Sequence, residues 1–255
     1  MVGVSKGKNA KYVPAKQSNT MTYVLGGIAV LVVIVVVIGG VLLISKKEGT
    51  PADQVASKLN DATPTFVLGK ADAKVTLDLF EDPLCPACGQ MEQAYGEQIV
   101  KGIQDGKIKA RYRMVSFLNQ SSASGDYSDR ANAAFIAIDR SSLPDEQKQK
   151  ALLASHKAVF SNQPHEKGSP QYDGKDHSNA EIATIVGDAS KAAGAELPAD
   201  LLSAIRDGKN VEDSANGARA NSKLMQDIGS KGTPTVVHNG ELITVQGDWL
   251  TPLLG

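Results

Sequence analysis

The chain has 255 residues, a formal net charge of -1, and charged and hydrophobic fractions of 22% and 42%. That length suits a membrane segment with one large domain, or two small domains, and the balanced charge gives no basic excess for a nucleic-acid partner. Only two cysteines occur, together in Cys85-Pro86-Ala87-Cys88, which excludes a scaffold stapled along its length by disulfides.

Residues 1–20 are polar, with Lys6, Lys8, Lys11 and Lys16 and no acid, so a disordered tail is expected. Residues 23–44 carry no charge and are mostly Val, Ile, Leu and Gly. As a helix this run spans roughly 33 Å, close to the ~30 Å hydrocarbon core of a bilayer. A buried core helix or a cleaved signal peptide is the alternative. A signal peptide has a shorter apolar region, ~7–15 residues, ending in small residues. This run ends Ile44-Ser45-Lys46-Lys47, so a single transmembrane anchor is assigned to residues 21–45. The lysines ahead of it favour a cytoplasmic N-terminus, with the rest of the chain extracytoplasmic. Residues 46–64 read as a linker.

The remaining domain, residues 65–255, is expected to be α/β. Residues 75–80 (VTLDLF) and 108–115 (IKARYRMV) alternate as strands. Between them Met91, Tyr95, Ile99 and Ile103 recur every fourth residue, giving a helix from Cys85 to about Ile103. Apolar stripes then predict helices over residues 131–138, 145–160, 198–207 and 211–228. A further helix follows Ser178, which with Glu181 has the form of a capping box. The polar run 162–179 reads as a mobile loop. Residues 235–238 and 241–245 flank Asn239-Gly240, a strong hairpin signal. Asp248 is placed to cap a short closing helix.

Two cysteines separated by two residues at a helix start suit thiol–disulfide exchange. Unpaired N–H groups and the helix dipole there stabilise a thiolate, the attacking species. On this reading Cys85 is the exposed attacking thiol and Cys88, one turn in, is the buried resolving thiol. Pro86 is tolerated so early in a helix. A zinc site would need further ligands, and His156, His165, His177 and His238 are scattered, so no metal is expected. An inert structural disulfide would close too short a loop to stabilise much.

The motif Phe80-Glu81-Asp82-Pro83-Leu84-Cys85-Pro86-Ala87-Cys88, with Gly232-Thr233-Pro234-Thr235 far downstream, resembles the thioredoxin superfamily. Within it the sequence looks most like the DsbA-like, membrane-anchored oxidoreductases of actinobacteria. The resemblance implies a thioredoxin fold with a large helical insertion, here about residues 120–228. It implies that Pro234 is a cis-proline facing the cysteines and that the Thr233 backbone pairs with bound substrate. It implies a disulfide oxidase acting on reduced exported proteins. Reoxidation would fall to a vitamin K epoxide reductase-like or DsbB-like membrane partner, because the chain has no flavin motif or quinone-site constellation and no cofactor is expected. Two departures stand out. Relatives carry a buried proton-transfer acid six residues before the first cysteine, where this chain has Leu79. Glu81 and Asp82 are the nearby candidates, although as loop acids they would ordinarily be solvated. The dipeptide Pro86-Ala87 also lacks the histidine of strongly oxidising forms. A disulfide reductase or isomerase, and a non-catalytic peptide-binding or chaperone domain, remain as alternatives. His238 and Trp249 receive no role.

Overall fold

The computed structural model describes residues 50–255. The tail and membrane anchor expected over residues 1–45 lie outside the described residues. Among the described residues no helix is long and apolar enough to cross a membrane.

Among the described residues, β1 (Phe66–Leu68), β2 (Val75–Glu81), β3 (Ile108–Met114), β4 (Thr235–His238) and β5 (Glu241–Ile243) form one mixed sheet in the order β1-β3-β2-β4-β5. Strand β2 (Val75–Glu81) leads into helix α2 (Pro86–Gln104), which returns to β3 (Ile108–Met114), parallel to β2. A helix is the usual means of joining parallel neighbours. Strand β4 (Thr235–His238) pairs antiparallel with β2, and β5 (Glu241–Ile243) with β4. Asn239 and Gly240, at φ 51° and 79°, make the turn between them. Gly240 is needed twice over, because a Cβ there would lie 1.9 Å from the Ala52 carbonyl oxygen.

Alternation along β2 sorts its side chains. Leu77 and Leu79 point to one face of the sheet and pack with Met91, Ile99 and Ile103 of α2. Phe80 points to the other and joins a second apolar cluster. Helices α3 (Tyr127–Asp139), α4 (Asp145–Ser161), α5 (Asn179–Ala192), α6 (Ala199–Arg206) and α7 (Val211–Asp227) all lie between β3 and β4. Both halves of the Ser178–Glu181 capping box form ahead of α5. A four-residue helix, α8 (Thr251–Leu254), ends the chain, and the Asp248 carboxylate accepts the Thr251 N–H.

Three expectations are corrected. Ala52–Asp61 is not linker but a helix, α1, whose Val55 and Leu59 are buried against Phe80, Leu224 and Val237. The fully buried Arg113 fixes its end, donating to the carbonyls of Leu59 (2.5 Å) and Ala62 (3.2 Å) while paired to Asp78 at 2.6 Å. Those carbonyls are among the orphans every helix C-terminus must satisfy. A strand absent from the sequence reading, β1 (Phe66–Leu68), pairs with β3, and Phe66 stacks on Tyr112 with centroids 4.6 Å apart. The segment read as a mobile loop is held at several points: Arg130 bonds Asp176 (2.8 Å), and the Lys167 N–H bonds the Ser121 carbonyl (2.7 Å).

Candidate active site

The parallel β2-α2-β3 unit delivers Cys85 to the N-cap of α2. Pro86 follows as the first helical residue, where its missing N–H costs nothing, and its fixed φ sets the direction of the turn. The N–H groups of Cys88 and Gly89 bond back to the Cys85 carbonyl (3.0 and 3.3 Å), so Cys88 sits one turn inside. Both cysteines are free thiols. Cys88 is fully buried, and Cys85 is only 6% exposed, which corrects its expected openness.

Thr233 and Pro234, some 150 positions downstream, meet Cys85. Their peptide bond is cis. The Cys85 thiol donates to the Thr233 carbonyl at 3.4 Å. Among the described residues the buried Thr233 hydroxyl has no hydrogen-bond partner, which leaves it available to a sulfur that has lost its proton.

The two thiols are driven apart. A hydrogen bond from the Cys88 thiol, outweighing burial and aided by the Thr233 side chain and the N–H groups of Cys88 and Ala87, lowers the Cys85 pKa from 9.0 to about 6. Burial, the bond to Cys85 and the charge of Glu81 push Cys88 well above its ordinary value. One thiol is therefore an anion at neutral pH and its neighbour is its proton-bearing donor, the arrangement that separates an attacking sulfur from a resolving one.

Glu81 and Asp82 are not solvated loop acids: both are fully buried. Asp82 accepts the N–H groups of Leu84 and Leu118, each at 3.0 Å, and the Ser128 hydroxyl at 2.5 Å, so it pins the turn that carries Cys85. Burial outweighs these bonds and raises its pKa to about 6. The charge of Glu81 acts on Cys88, and its Oε2 lies 2.9 Å from Nε2 of His156 on α4. Leu79, six residues before Cys85, is buried in the apolar face of the sheet. Asp78 lies on the opposite face, committed to Arg111 and Arg113.

His156 was the residue missed. It is 3% exposed, its Nδ1 lies 3.3 Å from Glu92, and the rings of Tyr112 and Phe160 are 4.7 and 4.6 Å away. The signal in the sequence was a histidine in an apolar stripe at four-residue spacing, Leu152-His156-Phe160. Gln163, from the tethered loop, donates to the carbonyls of Pro83 (2.8 Å) and Cys85 (2.9 Å). It closes one side of a cleft of about 660 Å³ that runs beside Pro86 and Gln90. His238 bonds the Thr76 carbonyl, and Trp249 packs edge-on against Tyr95 at 5.6 Å, both away from the sulfurs.

Comparison with known proteins agrees with this geometry. A family model described as thioredoxin matches residues 61–250. The chain is similar to MdbA, a thiol–disulfide oxidoreductase from Corynebacterium diphtheriae, with 26% identity, a TM-score of 0.53, and coverage of 73% of this chain and 86% of that one. The reduced form of the disulfide bond oxidoreductase DsbG from Mycobacterium tuberculosis shares the fold at 24% identity and a TM-score of 0.54, covering 74% of this chain and 85% of that one. Among curated proteins, serine/threonine-protein kinase PknE of Mycobacterium tuberculosis is 28% identical over 234 residues, 90% of this chain. The chain spans 38% of the length of that relative.

Proposed function

The chain belongs to the thioredoxin family and is a DsbA-like thiol–disulfide oxidoreductase, and from that premise we propose that it donates its Cys85–Cys88 disulfide to thiols of exported proteins outside the cytoplasm. The observation that carries the chemistry is the pair of oppositely shifted thiols at one helix start, facing the cis Thr233–Pro234 bond.

The reaction has two displacements. A substrate thiolate attacks the Cys85 sulfur of the disulfide, and Cys88 leaves and takes up a proton. A second substrate thiolate then attacks the substrate sulfur of the mixed disulfide, and Cys85 leaves as a thiolate. The substrate loses two electrons and the cysteine pair gains them. A Cys85 pKa of about 6 makes that sulfur a good leaving group. The Thr233 backbone is the docking edge for an extended substrate, and Glu81 is better placed than Asp82 as the acid that exchanges a proton with Cys88.

The direction rests on the potential. At pH 7 the lowered Cys85 pKa favours the reduced pair by about 1.4 kcal/mol, or roughly 30 mV. The distance from a thioredoxin-like to a strongly oxidising potential is about 150 mV, so other terms decide it. A measured potential near -270 mV would turn the reading to a reductase. Cys88→Ser should trap mixed disulfides with exported proteins and Cys85→Ser should not; equal trapping would defeat the assigned roles. The apolar run over residues 21–45 supports anchoring to the membrane with the domain outside, testable by protease accessibility in intact cells. Reoxidation by a vitamin K epoxide reductase-like membrane protein is tested by adding membranes with and without it to the reduced domain.

One observation favours a second reading, a peptide-binding module. A similar stretch occupies part of a chain whose name gives a kinase activity. Full biological activity in a variant lacking both cysteines would select it.

A further inference from the structure

Beneath the cysteine pair, three ionisable side chains are joined in a buried line. Glu81, at the end of β2, meets Nε2 of His156 at 2.9 Å, and Glu92 of α2 meets Nδ1 at 3.3 Å. Cys88 and Glu92 are four residues apart on α2 and so lie on the same face. One imidazole thus bridges Glu81, whose charge acts on the resolving thiol, and Glu92, one turn along α2 from it. The second oxygen of Glu81, Oε1, is buried without a hydrogen-bond partner among the described residues. Taking such a set of charges out of water is costly, and apolar residues of the same volume often pack at least as stably. Stability does not account for it.

We infer that His156 is a positioning residue for the redox step, holding Glu81 so that Oε1 exchanges a proton with Cys88 and offsetting the charge of both carboxylates beneath that thiol. The inference rests on the oxidoreductase reading. The resolving step is then balanced as follows. The Cys88 proton passes to Glu81, the Cys88 sulfur attacks Cys85 in the mixed disulfide, and the departing thiolate takes a proton from solvent. The two cysteines lose two electrons to the disulfide that entered. The groups facing His156 are Glu81 from β2, Glu92 from α2 and Tyr112 from β3, with Lys157 acting on Glu92 from α4 itself. Burial disfavours the imidazolium, but the charge and hydrogen bond of Glu81, then those of Glu92, raise its pKa to about 10. Tyr112 stays neutral, its pKa pushed well up by burial and by both carboxylates.

The test is single turnover of the reduced full-length protein with oxidised glutathione, followed by acid quench and mass spectrometry. This separates attack by Cys85 from resolution by Cys88. In His156→Gln the two carboxylates face each other without a cation, and one takes up a proton. Glu92 keeps the nearby charge of Lys157, and Glu81 is the carboxylate left without a cation. Attack by Cys85 keeps its pH midpoint. Resolution slows about tenfold at pH 6–7 and recovers as pH rises, while the reverse step, in which Cys88 takes up a proton, is not slowed. His156→Lys restores part of the rate. Resolution slowed by one factor at every pH, or both directions slowed together, would make His156 merely structural and overturn the inference. Should the variants not fold, ¹⁵N shifts of the His156 ring in the unaltered protein decide: two protonated nitrogens at pH 8 support it, and a neutral ring at pH 7 refutes it. If the unaltered protein forms no mixed disulfide at Cys85, the oxidoreductase reading itself fails and takes this inference with it.

Discussion

Replacing Cys88 with alanine should raise the Cys85 pKa from about 6 to between roughly 7 and 8. The gap between 9.0 and about 6 corresponds to at most about 4 kcal/mol of preference for the thiolate, less where solvent at the protein edge screens it. The foremost cause is the hydrogen bond donated by Cys88. A hydrogen bond to a charged group contributes about 1.5–3 kcal/mol, equivalent to one to two pH units. The bonds from Thr233 and from the N–H groups of Ala87 and Cys88 survive the substitution, so the pKa does not return to 9.0. Cys88→Ser keeps a donor at that position and should stay within about one pH unit of 6. Thiolate absorbance at 240 nm, with the rate of iodoacetamide alkylation as a second measure, gives the midpoint directly. A Cys88→Ala midpoint still near 6 would refute the reasoning and assign the shift to the helix N-terminus.

Three further outcomes follow from the same structure. The thiolate of Cys85 stabilises the reduced fold fully above its unfolded value near 9.0, and that contribution is lost as pH falls to about 6. The melting temperature of the reduced form should therefore rise relative to the oxidised form between pH 6 and 9; a constant difference would count against the shift. Arg113→Met leaves Asp78 with Arg111 alone and removes the donor to the Leu59 and Ala62 carbonyls, and it should cost about 3–5 kcal/mol by urea unfolding. A loss under about 1 kcal/mol would mean that α1 is held by its apolar face alone. Ser128→Ala removes the hydroxyl that lowers the Asp82 pKa, so the midpoint, read from the carboxyl ¹³C shift, should climb above about 6; a fall would show that the hydroxyl is not what holds it down.

The sequence by itself determined the chemistry and most of the elements that carry it. Strand, cysteine pair and helix are successive pieces of one backbone, so the alternation of residues 75–80 and the four-residue spacing from Met91 to Ile103 located Cys85 at a helix start. Thr233-Pro234 was legible because turn chemistry is local and the family pattern pairs it with the cysteines. The Ser178–Glu181 box and the Asn239-Gly240 hairpin were legible for the same reason. Helix α1 carried a readable stripe, Ala52, Val55, Ala56 and Leu59, that the linker reading passed over, whereas the three residues of β1 carry too little periodicity. Their order comes from distant partners, Arg113 for the one and Tyr112 for the other. The tertiary structure alone decided the electrostatics. Glu81 ends β2 and Asp82 follows it, so both look exposed in the chain, but α3 and α4 cover them, with Ser128 and His156 supplied from 46 and 75 residues away. Burial and charge pairing depend on what folds over a residue, and periodicity reads only one element at a time.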